Sequence, residues 1–188
     1  MKVPSLSIDK VEFVHVKVEA NPSFEGEYSQ EFLQLDFPFK GVLFRRRMTL
    51  QYDKDKAEDP KDFIFGLNII LVNDEGTESP IELPYSVDIK AIVYLRYKSD
   101  TLHGMELFRA VRATGYVILY GAIREMVSNL TARGSHGIWS LPSANFNEAA
   151  QEEAEQDEVR RQAYILKKTK VGASKPKRPR KKSLDKEK

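Results

Sequence analysis

Few residues of this sequence have the type and spacing that catalysis requires. The three histidines, His15, His103 and His136, lie far apart, with no His-x-x-x-His motif and no acidic pairing. No glycine-rich phosphate loop follows a predicted strand. The chain has no cysteine, which excludes thiolate metal sites and a cysteine nucleophile. These patterns predict a protein that is not an enzyme and that holds no metal and no cofactor.

Aromatic side chains offer a different chemistry, the burial of apolar surface. They are concentrated in residues 21–40, between the first two predicted strands, in a segment with hardly any strand or helix periodicity: Phe24, Tyr28, Phe32, Phe37 and Phe39. Ordinary loops are polar. Rings in such a connector therefore either complete the core under a long loop or face a partner, and the sequence leaves both alternatives open.

Charge is distributed unevenly along the chain. Residues 159–188 hold 13 Lys+Arg and 2 Asp+Glu, a balance of +11, so the net charge of +2 for the whole chain leaves −9 on residues 1–158. Residues 170–188 are predicted to be a disordered basic tail. Such a tail either binds RNA, a ribosome or an acidic protein surface, or only keeps the protein soluble. The cluster Arg45-Arg46-Arg47 lies in a predicted strand and is interpreted as a solvated outer face.

The absence of cysteine suits a reducing compartment. The segment MKVPSLSIDKVEF has neither a long apolar core nor a small-residue cleavage site, so we expect no signal peptide. No run of about 18 apolar residues occurs, so no membrane insertion is expected. The sequence predicts a cytoplasmic protein.

Four strands are predicted, at residues 6–20, 41–52, 63–72 and 86–97. The first changes its apolar parity between Phe13 and Val14, which predicts a bulge there. The short links after the second and third strands favour antiparallel neighbours in a meander. The long aromatic segment after the first strand is then a crossover.

Two helices follow the strands, at about 108–133 and about 147–169. Gly134 is placed to end the first helix. Gly115 and Gly121 lie within it, where glycine lowers stability, so close approach to another helix is expected at both. The predicted fold class is α+β: one domain, residues 1–169, with a four-stranded antiparallel sheet and two helices, followed by the tail at 170–188.

The stretch from Tyr120 to Phe146 resembles the SecB-type export chaperones. The matching positions are Arg124, Glu125, Arg133, Gly134, Leu141, Asn145 and Phe146. The family usually has proline where Gly121 and Ser143 stand. The chain is therefore closer to the divergent members that serve phages and toxin–antitoxin systems. The order of elements also matches over roughly residues 5–165.

The resemblance implies a holding chaperone that binds unfolded polypeptides without ATP, for export or for control of an antitoxin. Its partners would be clients, a SecA-type translocation motor or an antitoxin, and further copies of itself in a dimer of dimers. The implied client groove is lined by aromatic and aliphatic side chains: Phe24, Tyr28, Phe32, Phe37, Phe39, Phe44, Ile138, Trp139, Leu141 and Phe146. The subunit interface is expected on the apolar face of the first helix: Tyr116, Leu119, Tyr120, Ile123, Val127 and Leu130. The alternative is a nucleic-acid-binding protein that uses its basic C-terminal arm.

Overall fold

The protein is described by a computed structural model over residues 5–25, 42–74, 76 and 83–173, with the backbone alone at 171–173. Over these residues it forms one sheet and two helices, with a 3₁₀ turn at Lys54–Lys56. The strands are β1 (Leu6–Ala20), β2 (Val42–Tyr52), β3 (Asp62–Asn73) and β4 (Tyr85–Tyr97). The helices are α1 (Gly104–Thr131) and α2 (Asn147–Ala173). The predicted α+β class, with four antiparallel strands before two helices, is confirmed.

The strand order is β1-β4-β3-β2, and every neighbouring pair is antiparallel. Strands β2, β3 and β4 form the predicted meander, while the chain passes from β1 at one edge to β2 at the other. Most of this connection, residues 26–41, lies outside the described residues, and so do Tyr28, Phe32, Phe37 and Phe39. The basic residues 174–188 lie outside them as well.

The predicted bulge in β1 is confirmed. The pairing with β4 shifts between Phe13 and His15, so Val14 is the extra residue, and a second shift occurs between Ile8 and Lys10. Each extra residue restores the apolar side chains to one face, because side chains in a strand alternate with a period of two. As a result Val11, Phe13 and Val18 all pack at the edge of the core.

The core lies between one face of the sheet and α1. Every second residue of β3 and β4, from Phe63 to Leu71 and from Tyr85 to Tyr97, is buried on this face. The helix covers them with its apolar stripe, whose fully buried members include Phe108, Tyr116 and Leu119. The protein is therefore a two-layer structure in which α1 is the helix that contacts β1, β3 and β4 over many residues.

Two glycines, Gly115 and Gly134, allow close approach, in both cases to a side chain of the sheet and not to a second helix. At Gly115, an added Cβ would overlap the ring of Phe65, so this position lets α1 approach the sheet and not a second helix. At Gly134, an added Cβ would overlap the hydroxyl of Tyr85. Gly134 does not have positive φ, so it does not end α1 as a left-handed residue. Among the described residues, only Gly104 and Gly137 have positive φ. Gly121 has open space around its Cβ position, so no close approach explains it.

Gly115 and Gly121, both inside α1, make a matched pair for a stability test. We expect Gly115→Ala to lower the free energy of unfolding by about 1–3 kcal/mol, because the added methyl group overpacks a fully buried ring. Gly121→Ala is the control, and it should raise the free energy by up to about 1 kcal/mol through helix propensity alone. Urea unfolding of both variants checks this. Equal midpoints for the two variants would contradict the packing of α1 onto Phe65.

Candidate functional site

Two grooves flank the place where α2 meets the rest of the molecule. The first, here called the α1 groove, has a volume of about 390 Å³ and lies between α1 and the loop before α2. It is lined by Ala113, Tyr116, Val117, Tyr120, Gly121, Arg124, Ser143, Ala144, Asn145, Phe146 and Asn147. The second, the β2 groove, has a volume of about 640 Å³ and lies between the end of β2 and α2. It is lined by Leu50, Gln51, Tyr52, Lys54, Asp157, Arg160 and Tyr164.

A buried ionic cluster joins α1 to α2 between the grooves. The Arg112 side chain is 5% exposed, and its Nε donates to Asp157 Oδ2 at 2.6 Å while Nη1 donates to Glu153. Burial tends to lower the pKa of the Arg112 guanidinium, but hydrogen bonding and attraction to Asp157 outweigh it, and the pKa is raised. The guanidinium therefore remains charged and offsets part of the negative charge of the two carboxylates that α2 brings into the interior.

Strand β2 joins the same cluster through Arg46. Its Nη2 lies 3.1 Å from Glu153 Oε1, and its guanidinium lies over the rings of Tyr116 and Phe146, 5.1 and 5.6 Å from their centroids. The Tyr116 hydroxyl donates to Glu153 at 2.8 Å. Burial, and then Glu153, raise the pKa of Tyr116 well above its ordinary value, so the hydroxyl stays protonated and remains a donor.

The loop before α2 is fixed by polar side chains of α1. The Tyr120 hydroxyl donates to the Pro142 carbonyl at 2.7 Å, and Arg124 Nε donates to the Leu141 carbonyl at 2.9 Å. Burial raises the pKa of Tyr120 to about 12. The loop then places Phe146 in a stack on Tyr116, with centroids 4.6 Å apart. Several motif residues on which the family resemblance rests are thus the ones that position this loop.

The start of α2 is fixed by another residue of the motif. The side chain of Asn145 accepts a hydrogen bond from the Asn147 backbone N–H at 3.0 Å, where α2 begins. Farther along α2, between residues 148 and 170, only two apolar side chains are buried, Ala150 and Ala154. Polar contacts supply other attachments, including Arg161 Nη1 to the Ala57 carbonyl at 2.9 Å. The helix is held on the body chiefly by charged and polar groups.

The predicted client-binding residues are separated by this arrangement. Phe146 lines the α1 groove, Phe44 is half-buried on the core side of β2, and Ile138 is 39% exposed. Phe24 is half-buried, and its ring meets that of His136 with centroids 5.1 Å apart.

Trp139 and Leu141 belong to the core and not to an open groove. Trp139 is 3% exposed, its centroid lies 6.1 Å from that of Tyr85, and its backbone N–H donates to Thr131 Oγ1 at 2.8 Å. Leu141 is fully buried. Both side chains are enclosed by their own chain, and their predicted role in client binding stays a prediction.

The predicted subunit interface falls largely on residues that are buried within this chain. Most of the apolar face of α1 packs on its own sheet. The side chains enclosed within this chain are Tyr116, Leu119, Tyr120, Ile123 and Val127. They have almost no surface left for a second copy, and only Leu130, which is 47% exposed, is accessible. The exposed apolar side chain of the helix middle is Val117 instead.

The ionic cluster was not predicted, although the sequence carries a signal for it. Arg112 lies between Phe108 and Tyr116 at spacings of four residues, so a charge interrupts the apolar stripe of α1. A charge on a buried stripe requires a counter-charge. Glu153 and Asp157 are also four residues apart, on the same side of α2 as the buried alanines. Nothing in the sequence, however, pairs these residues with each other.

In the described ranges, no group of three or more histidine, aspartate or glutamate side chains could hold a metal ion. Nor does any helix there combine the length and the apolar character that crossing a membrane requires. The chemistry that the grooves offer is non-covalent: aromatic and aliphatic walls beside charged rims.

No family model matches the chain, and no curated protein matches it. Several solved structures are similar to it, among them the following two. One is a SecB-like chaperone of Mycobacterium tuberculosis in complex with an antitoxin peptide, 16% identical, with a match covering 74% of this chain and 91% of that one at a TM-score of 0.45. The other is a protein of unknown function from Streptococcus agalactiae, 8% identical, covering 72% of this chain and 95% of that one at a TM-score of 0.41.

Proposed function

We propose that this protein is an ATP-independent holding chaperone that binds unfolded polypeptide segments. The observation that carries the proposal is the β2 groove, where the apolar and aromatic side chains of Leu50, Tyr52 and Tyr164 border a strand edge. In the described part of the chain, β2 pairs with β3 alone, so its outer edge has backbone groups available for another strand. The motif residues around Phe146 support the same function.

The chemistry of these surfaces suits an unfolded client. Unfolded chains of any sequence share two features, apolar side chains and unpaired backbone groups. Burial of apolar surface contributes roughly 25 cal/mol per Å² and does not depend on direction. An extended client can add backbone hydrogen bonds along a strand edge. The α1 groove, with Phe146 at its wall, offers a second apolar site.

We also propose that the protein assembles into a dimer or a dimer of dimers in the cytoplasm. Because the core side of α1 is filled, the apolar side chains available for assembly are exposed ones at the β1 edge and on the outside of α1. They include Ile8, Val16 and Val117, exposed at 52, 40 and 74%. Several grooves on one assembly would raise avidity for a long client. Export substrates delivered to a SecA-type motor, or an antitoxin, are the clients we propose.

The function is tested by client aggregation. We expect a reduced, slowly refolding protein to aggregate less when this chain is present at near-stoichiometric amounts, because binding the unfolded state lowers its free concentration. ATP should make no difference. Light scattering measures the effect, and unchanged client scattering at several-fold excess would contradict the proposal.

The alternative function, nucleic-acid binding through the basic arm, is favoured by the 8 Lys+Arg against 2 Asp+Glu in residues 174–188. Deletion of 174–188 distinguishes the two, since α2 ends at Ala173 and is left intact. Under the holding function, the deletion variant suppresses aggregation as well as the full chain does. Under the alternative, binding to a single-stranded oligonucleotide is present in the full chain and lost on deletion.

A further inference from the structure

The second face of the sheet is uncovered among the described residues. Helix α1 packs on the face that carries Phe65 and Ile89, while α2 packs against α1. The opposite face shows side chains that are half-buried or exposed. They include Leu43, Arg45 and Arg47 of β2, Asn68, Ile70 and Val72 of β3, and Asp88, Lys90 and Ile92 of β4. A half-apolar sheet face without a covering layer is a surface to which a partner can bind.

The strand register gathers cations at the middle of this face. Arg47, Asn68, Lys90 and His15 are successive partners across the four strands, so they form one row. Strands lie about 4.8 Å apart, which places the backbones of Arg47 and Lys90 roughly 10 Å from each other. Arg45 lies two residues from Arg47 on the same strand face, roughly 7 Å away.

Other cations of the face are paired within the described ranges, whereas Arg45, Arg47 and Lys90 form no ion pair there. Lys10 pairs with Glu12, Lys17 with Glu19, and Arg96 with Asp9 and Asp62. None of the ion pairs between described residues includes Arg45, Arg47 or Lys90, and all three side chains are exposed.

The carboxylate nearest to these cations in the register has other partners. Asp88 lies 3.7 Å from His15 Nε2, and the Asn68 amide is placed to donate to its Oδ1 at 3.1 Å. Because Asp88 contacts His15 and Asn68, the three cations Arg45, Arg47 and Lys90 form a local excess of positive charge. Leu43, Ile70 and Val72 adjoin this excess with half-exposed apolar surface.

We propose that this face, centred on Arg45, Arg47 and Lys90, binds a segment of a partner protein that carries acidic side chains next to apolar ones. Alternate side chains of an extended segment are also roughly 7 Å apart. Two carboxylates at such positions would match Arg45 and Arg47, and bidentate contacts to both guanidinium groups would fix their orientation. Apolar side chains of the segment would cover Leu43, Ile70 and Val72.

The same surface fits a nucleic acid less well. Its one tyrosine, Tyr94, donates its hydroxyl to Glu12 at 3.0 Å, and stacking on bases usually needs several exposed rings. Glu12, Glu19 and Asp88 lie on the same face. A polyanion with a charge on every nucleotide would therefore meet these carboxylates as well as the three cations, whereas a segment with only two carboxylates can place both at Arg45 and Arg47.

The experiment measures binding of short labelled peptides to the full chain by fluorescence anisotropy. The probes are one peptide of alternating leucine and glutamate and its counterparts with glutamine or lysine in place of glutamate. We expect the glutamate peptide to bind at least about tenfold tighter than the other two, and the preference to fall as salt is raised. Equal affinity for the glutamate and glutamine peptides would overturn the proposal.

Two double variants with the same change of net charge locate the site. The first, here called the β2 variant, combines Arg45→Glu with Arg47→Glu and should abolish the preference for glutamate. The second combines Lys167→Glu with Lys170→Glu, at exposed positions of α2, and should keep the preference. Equal losses in both would show a general charge effect and overturn the proposal. Tighter binding of an oligothymidine than of the glutamate peptide, lost in the β2 variant, would assign the face to nucleic acid instead.

Self-association is the remaining alternative for this surface. Sedimentation of the full chain that shows dissociation only in the β2 variant would assign the face to a second copy and would also overturn the proposal. Suppression of client aggregation should be retained in the β2 variant, because its substitutions change neither the apolar walls of the two grooves nor the backbone groups of the β2 edge. The failure of this inference and the failure of the holding function are therefore distinguishable.

Discussion

Arg112→Ala is expected to lower the free energy of unfolding by about 3–5 kcal/mol. The substitution leaves Glu153 and Asp157 with side chains only 13 and 9% exposed and without their buried counter-charge. Removal of one member of a buried ion pair costs far more than the pair contributes, because the remaining charge stays desolvated. Urea unfolding followed by circular dichroism measures the loss.

The neighbouring Arg109 supplies the matched control. It is exposed, and its side-chain hydrogen bond to Gln151 is long, at 3.3 Å. Arg109→Ala should therefore change the free energy of unfolding by less than about 1 kcal/mol. The combination of Arg112→Met, Glu153→Gln and Asp157→Leu removes Arg112 and both carboxylates together and should recover part of the loss, since only the partly exposed Arg46 then lacks its counter-charge. If Arg112→Ala behaved like Arg109→Ala, the cluster would be solvated and α2 would be held by other contacts.

The same cluster explains how a polar helix can occupy a fixed place. Up to residue 170, helix α2 buries only Ala150 and Ala154 among its apolar side chains, so the apolar contribution of this part to docking is small. Arg46 and Arg112 come from two different elements and converge on Glu153. This convergence fixes α2 relative to both β2 and α1, and thereby fixes both walls of the β2 groove.

The strands and helices could be predicted because their signals are local. The alternation of apolar side chains in β1 even located the bulge at Val14, since one extra residue is needed to keep Phe13 and Val16 on the same face. The apolar stripe of α1 likewise predicted that one face of the helix is buried. Periodicity does not reveal what covers that face, and here the sheet of the same chain covers it.

The site was harder to predict because it depends on contacts between residues far apart in the sequence. Arg46, Arg112 and Glu153 belong to three elements, and no spacing rule connects them. Trp139 shows the same difficulty for a single residue. From its residue type alone, a tryptophan in a loop beside glycine could line a groove or pack in the core. The contacts of Trp139 with Tyr85 and Thr131, which the sequence does not reveal, show that its side chain is packed in the core.

Trp139→Ala is expected to lower the free energy of unfolding by about 3–5 kcal/mol, because it removes a large side chain that is 3% exposed and leaves a cavity beside Tyr85. As the only tryptophan of the chain, Trp139 also reports its own surroundings. Its emission should lie toward the blue in the folded protein and should not change when an unfolded peptide without tryptophan is added. Ile138→Ala, at the neighbouring position that is 39% exposed, is the control and should cost less than about 1.5 kcal/mol. A blue shift on addition of peptide, together with near-normal stability of Trp139→Ala, would instead support the prediction that Trp139 lines the client groove.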